Sequence, residues 1–302
     1  MTQNLKDLEQ RGRRLVAGIP LGWMVLLFLL PFLIVLKLSF SEMRLAIPPY
    51  APFLEWLNGL PHPALHLNNY AFLFTDPLYI SAYLYSLKVA AVSTLLCLLL
   101  GYPMAYVIAR ASGTRRSVLL MLVVLPFWTS FLLRVYAWIG LLKHNGVINN
   151  ILLSAGLIHQ PLTMLQTDFA VYVGIVYSYL PFMILPLYAN LEKHDLALLE
   201  AAADLGARPF TAFLRVTLPQ SVPGIIAGAL LVFIPAVGEY VVPSLLGRTD
   251  QLMIGRVLSD EFFENRDWPL ASAVAILMLL LLVVPIMLFQ RSGGRQLQQA
   301  HR

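Results

Sequence analysis

Residues 200–219 read EAAADLGARPFTAFLRVTLP, a charged, small-residue stretch between two long apolar segments. Asp195, just upstream, is a helix-capping residue type. Leu196 to Leu205 supply about three helical turns, and Gly206 stands where a left-handed C-terminal cap is wanted. Pro209 suits the first position of a second helix. Glu200 and Asp204, four residues apart, share a face, while Ala201, Ala202 and Ala203 keep the surface low enough for another protein to approach. The spacing predicts a helix, a turn and a helix, which is the form of a docking element. An ordinary amphipathic connector has the same local pattern.

The flanking sequence belongs in a membrane. Of 302 residues, 59% are hydrophobic and 12% charged, and the mean hydropathy is +0.73, too apolar for a soluble globular protein of this size. Six segments reach the roughly 20 residues that a helix needs to cross a bilayer. They lie near 19–40, 82–109, 117–142, 169–190, 222–246 and 269–290. The predicted fold is an all-α membrane protein, a single transmembrane domain over 1–302, with six transmembrane helices and a helix-turn-helix (194–219) between the fourth and fifth. The first apolar run is of spanning length and has no small-residue cleavage site after it, so it reads as a retained span. The lone Cys97 lies in an apolar run, which gives no disulfide framework and no thiolate metal site.

Charge sets the expected orientation. Lys6, Arg11, Arg13 and Arg14, then Arg110, Arg115 and Arg116, then Lys193, Arg208 and Arg215, then Arg291, Arg295 and Arg302 lie on one side. The other side has Arg44, Lys143, Arg248, Arg256 and Arg266, five cations against thirteen. The positive-inside rule puts the N-terminal segment 1–18, the 194–219 loop and the tail 291–302 in the cytoplasm, and the 41–81 loop outside. That loop carries Pro48, Pro49, Pro52, Pro61 and Pro63, too many for a continuous helix; Asp76 and Pro77 can cap and start a helix leading into the second span. The basic residues form neither a patch nor an aromatic-interleaved stripe, so nucleic acid is not an expected partner, whereas membrane lipid is.

Within the spans, Pro126 is expected to break the third, Pro181 and Pro186 the fourth, and Pro235 the fifth. Such breaks line a translocation path or are simple kinks. No G-x-x-x-x-G-K-[ST], H-E-x-x-H or G-x-S-x-G motif is present, so no catalytic residues, no metal and no cofactor are expected on this chain. Ionisable residues inside spans are few. Lys37 and Lys88 lie near helix ends and can snorkel, but Arg134 is farther from an end and Glu239 interrupts an apolar helix. Glu239 either pairs with Arg134 or a partner's cation, or faces the path and attracts a cationic cargo. Trp128, Tyr136 and Tyr177 offer cation–π faces along such a path, or serve as packing and interface residues. The outer loops Glu42–Asp76 and Arg248–Asp267 each carry a net charge of −2, which favours entry of cations.

The offsets in the first stretch add a further reading. Glu200, Ala201, Ala202, then Gly206 after three residues, then Val216, Leu218 and Pro219 after nine more resemble the EAA loop of ATP-binding-cassette importer permeases, with Val216 where isoleucine is usual. DPLY (76–79), LLGYP (99–103), LPFWTSFLLRVYAW (125–138), NGVINN (145–150), GIIAG (224–228), LVFIPAVGE (231–239) and RDWP (266–269) extend the resemblance to the polyamine branch of that family, putrescine permease subunits more than spermidine ones. The resemblance implies a multi-pass bacterial inner-membrane subunit that is not itself an enzyme. Its implied partners are a second, related permease subunit, a dimer of ATPase subunits holding ATP and Mg, and a periplasmic polyamine-binding protein. On it, Glu200, Ala201, Ala202, Gly206, Leu218 and Pro219 would couple the permease to the ATPase. The same machinery also carries solutes such as ferric iron or sulfate, and an ion-coupled secondary transporter is the competing class.

Overall fold

The computed structural model describes residues 16–52, 54–57, 60–63 and 65–300. Lys6, Arg11, Arg13, Arg14 and Arg302, all used in the orientation argument, lie outside the described residues. Two compact units divide the chain, one of residues 1–77 with 258–302, the other of residues 78–257.

In the first unit, α1 (Val16–Ser39) is apolar all round and exposed along most of its length, a surface that only lipid or another apolar face can satisfy. It contains a π-helical turn at Val25–Leu29, just before Pro31 removes a backbone donor. Its end is tied to α2 (Asn68–Thr75), where the Tyr70 hydroxyl donates to Ser39 Oγ (2.8 Å) and Asn69 Nδ2 donates to the Ser41 carbonyl (2.9 Å). Between them Leu54–Leu57 (β1) pairs antiparallel with Leu60–Pro63 (β2), a short ribbon; the other described elements are helices. Both strands of a two-stranded ribbon are edges, where prolines without a donor are tolerated. The last helix of the unit, Trp268–Ala300, packs on α1 and stacks Trp268 on Phe262, ring centroids 5.4 Å apart.

The second unit begins with α3, the helix Pro77–Arg110, 34 residues long. Pro77 thus starts the span itself, and Asp76 closes α2. The expected third span is α4 (Gly113–Val124) with a 3₁₀ turn at Leu125–Trp128, then α5 (Phe131–Leu142), then α6 (Val147–Ser154). The halves Gly113–Trp128 and Phe131–Ser154 meet at 90°, and Pro126 lies in the turn at the break. Next, α7 (Asp168–Leu191) runs unbroken through Pro181 and Pro186, contrary to expectation. Each proline deletes one ladder bond, and the buried neighbours Met183, Ile184 and Leu187 hold the helix on both sides. α8 (Ala197–Asp204) and α9 (Pro209–Val237) follow. Pro235 does not end α9 either; the break falls at Gly238, so the expected span 222–246 is divided between α9 and α10 (Val241–Leu246). α11 (Ile254–Ser259) and α12 (Trp268–Ala300) complete the chain.

Among the described residues four helices, α1, α3, α7 and α9, are long and apolar enough to cross a membrane, and five segments are if the bent pair counts as one; Trp268–Val283 is a shorter apolar stretch. α7 and α9 pack through glycines. A Cβ on Gly228 would lie 2.8 Å from Met183 Sδ and 3.1 Å from the Met183 carbonyl oxygen, and one on Gly101 of α3 would lie 3.1 Å from Met183 Cγ. Met183 is thereby enclosed by three helices. Gly228→Val is expected to cost about 2 kcal/mol or more by overpacking against backbone. It should lower the melting temperature of the detergent-solubilised protein, while Gly140→Ala, with nothing within 4 Å, leaves it unchanged.

Candidate functional site

The helix-turn-helix forms as the sequence requires. Asp195 Oδ1 accepts from the Ala197 N–H at 3.0 Å, and α8 starts there. At its other end the Gly206 N–H donates to the Ala203 carbonyl (2.8 Å) and the Ala207 N–H to the Ala202 carbonyl (2.9 Å), with Gly206 at φ +80°. This is a Schellman-type cap, which satisfies the last carbonyls of the helix and reverses the chain. Arg208 is extended, as a residue before proline must be, and Pro209 opens α9. A π-helical turn at Phe213–Thr217 then feeds the membrane-length part of that helix.

The turn is open to its surroundings. Leu205 is 89% exposed and Phe210 72% exposed. Between the two helices lies a cleft of about 440 Å³, lined by Ala202, Leu205, Gly206, Arg208, Thr211 and Arg215 among others. Glu200, Ala201 and Gly206 are exposed and Ala202 is half-buried, so these four sit together on one accessible turn. Leu218 and Pro219 lie farther along α9, past the π turn.

Behind the π turn is a polar and aromatic joint that sequence reasoning missed. Ser221 Oγ donates to the Thr217 carbonyl (2.5 Å) and shares a 2.6 Å hydrogen bond with the Tyr102 hydroxyl of α3. Phe213 meets Tyr102 and Tyr106 edge to face at 5.6 and 6.4 Å, and Arg110 lies over Tyr106 at 5.2 Å. Any displacement of the π turn therefore bears directly on α3. On the same helix Tyr85 donates to Asp168 Oδ1 (3.0 Å), and a neighbouring cleft of about 390 Å³ takes Ser81, Tyr85 and Asp250 into its wall. Two hydrogen bonds from Arg248 hold the Asp250 carboxyl below the usual carboxylate range.

The intramembrane candidates are arranged differently from expectation. Glu239 is 7% exposed at the break between α9 and α10. Its Oε1 accepts from the backbone N–H groups of Val241 (3.1 Å) and Val242 (3.3 Å), and its Oε2 accepts from the Tyr179 hydroxyl. The carboxylate thus caps α10 and ties it to α7, the favourable placement for negative charge at a helix N-terminus. Arg134 is no partner of Glu239. Its guanidinium lies over Phe127 and Phe131, 5.6 Å from each ring centroid. Trp128 is 74% and Tyr136 57% exposed, and Tyr177 meets Trp138 at 5.5 Å. Among the described residues no hydrogen bond or ring contact joins Glu239 to Trp128, Tyr136 or Tyr177. Nor is any group of three or more His, Cys, Asp or Glu residues there arranged to hold a metal.

Comparison with known proteins gives this architecture its family. Residues 97–295, from the middle of α3 into α12, match the family described as binding-protein-dependent transport system inner membrane component. The chain belongs to that permease family. Among curated relatives of this permease, it is 40% identical over 289 residues to the spermidine/putrescine transport system permease protein PotB of Haemophilus influenzae, covering 96% of each chain. It is 39% identical over 272 residues to the PotB of Escherichia coli K12, covering 90% of this chain and 94% of that one. Among solved structures, a chain of the bacterial alginate ABC transporter, solved in complex with an alginate pentasaccharide-bound periplasmic protein, superposes with a TM-score of 0.68 over 97% of both chains. At 20% identity that likeness concerns fold alone. Permeases of this kind are inner-membrane components of binding-protein-dependent transport systems. The residues of the exposed turn fall inside the matched region.

Proposed function

We propose that this permease moves polyamines, putrescine and spermidine, from the periplasm into the cytoplasm by ATP-driven alternating access. The observation that carries the cargo is the 40% identity to a spermidine/putrescine permease over 96% of both chains. Six crossings, α1, α3, the bent pair, α7, α9 and α12, put both termini and the Glu200–Pro219 turn in the cytoplasm, in keeping with the distribution of lysine and arginine. A second, related permease subunit completes the channel, and two ATPase subunits supply ATP and Mg chemistry that this chain's residues do not. The exposed Leu205 and Phe210, beside a cleft edged with Arg208 and Arg215, form the surface that the ATPase grips. Closure of the ATPase dimer pushes that turn, and the joint of Phe213, Ser221 and Tyr102 passes the movement to α3, a packed element with two arrangements.

Radiolabelled uptake tests the reading. In cells lacking this chain, the restored gene is expected to return ATP-dependent accumulation of putrescine, with spermidine as substrate or competitor. Restored membrane levels of the chain without uptake of either amine would overturn the polyamine assignment.

A further inference from the structure

α3 and α4, joined by Ala111 and Ser112 alone, flank a cleft of about 410 Å³. Its lining is apolar throughout and includes Pro103, Met104 and Val107 of α3 and Leu119 and Leu122 of α4. Met104, Val107 and Leu122 are exposed. On α3, Pro103, Val107 and Arg110 follow one another at offsets of four and three, and on α4 Arg115, Leu119 and Leu122 do the same. Residues so spaced share a helix face. Each stripe that lines the groove therefore ends in an arginine at the turn the two helices share. α3 is of membrane length and Arg110 is its last residue. From there the groove reaches seven residues deeper, about 10 Å of helical rise.

The arginines at this end differ in what they hold. Arg116 donates to the Ala111 carbonyl (2.9 Å) and to Glu192. Arg110 lies over the Tyr106 ring, and among the described residues neither its guanidinium nor that of Arg115 has a hydrogen bond or an ion pair. The first turn of α4 contains no acid, so the helix dipole adds to the positive potential there. Apolar walls within the membrane and two unpaired cations at its boundary describe an amphiphile with a negative head. We propose that this groove binds an anionic phospholipid, its acyl chain against Val107, Leu119 and Leu122 and its phosphate accepting from Arg110 and Arg115. A neighbouring protein helix would cover the apolar part and leave both arginines to water. On the orientation proposed above, the lipid belongs to the cytoplasmic leaflet. Its head would lie beside the coupling joint, because Tyr106 under Arg110 also meets Phe213.

The test reconstitutes the complete importer in phosphatidylcholine nanodiscs with a trace of a photoactivatable lipid. That lipid has a diazirine in its acyl chain and a phosphatidylglycerol or a phosphatidylcholine head. Peptides covering residues 103–123 are expected to take at least about five-fold more of the phosphatidylglycerol label, the weight of one arginine at an anionic surface. Arg110→Gln combined with Arg115→Gln should bring the two labels level. Leu122→Trp fills the groove with both arginines in place, and should remove label of either kind from these peptides. Lys193→Gln removes a positive charge from an exposed residue outside the groove and should leave the preference unchanged. Melting temperatures establish that each variant is folded. Equal labelling of the wild type by the two lipids would overturn the proposal, as would a preference that survives Leu122→Trp or that Lys193→Gln abolishes. Absence of label from both lipids would mean that protein covers this face, and overturns it as well. No readout depends on the cargo, so a failure of polyamine uptake leaves this test standing on its own.

Discussion

Gly206→Val is expected to reduce uptake to less than about a tenth of wild type while the chain still reaches the membrane, and Gly206→Asn to retain most of it. The physical cause is backbone conformation and not crowding. Gly206 sits at φ +80°, and a Cβ placed on it meets nothing within 4 Å. A β-branched residue in the left-handed region costs about 1–3 kcal/mol, whereas asparagine is the one common substitute that such caps accept. A strain of about 2 kcal/mol disfavours the native turn roughly 30-fold. The alternative conformations lose the bonds from the Gly206 and Ala207 N–H groups to the Ala203 and Ala202 carbonyls, and re-aim α8 relative to α9. The readouts are amine uptake, membrane level, and recovery of the ATPase with the tagged permease. If valine and asparagine behave alike, left-handed geometry at this turn is not what coupling depends on.

That turn was legible because every residue of it acts locally. Capping, proline placement and the glycine offset act over a few residues of chain, and Asp195, Gly206 and Pro209 do in the structure what their types require. The long apolar helices were legible for the same reason, since length and hydropathy suffice. Proline was read less well. At Pro126 it accompanies a 90° bend, but α7 passes Pro181 and Pro186 intact, because tertiary packing around Met183 outweighs the loss of single ladder bonds. The joint from Thr217 through Ser221 to Tyr102 spans 119 positions between its hydroxyl partners, and nothing in local pattern announces a contact at that separation. Glu239 stands out in the sequence as a carboxylate within an apolar stretch, and its partner in the structure is Tyr179, 60 residues away, and not Arg134. Sequence identifies a charge that needs a partner; only the packing of α7 against α10 says which.

Glu239 supports the second large prediction. Glu239→Ala strands a tyrosine hydroxyl and two backbone N–H groups in a buried break. At about 1–3 kcal/mol for each buried group left unsatisfied, the loss should reach at least about 3 kcal/mol. The solubilised protein is then expected to melt roughly 5–10 °C lower and to accumulate poorly in the membrane. Glu239→Gln separates charge from shape. Its amide oxygen still accepts from Val241 and Val242, and its NH₂ donates to the Tyr179 hydroxyl, which reverses its own role from donor to acceptor. Because both carboxylate oxygens are already committed within the chain, the glutamine variant is expected to assemble normally and to keep uptake within about two-fold of wild type. Normal assembly with uptake lost would instead place the negative charge in the route of the cargo, and an ammonium group would then have to displace Tyr179 as it passes.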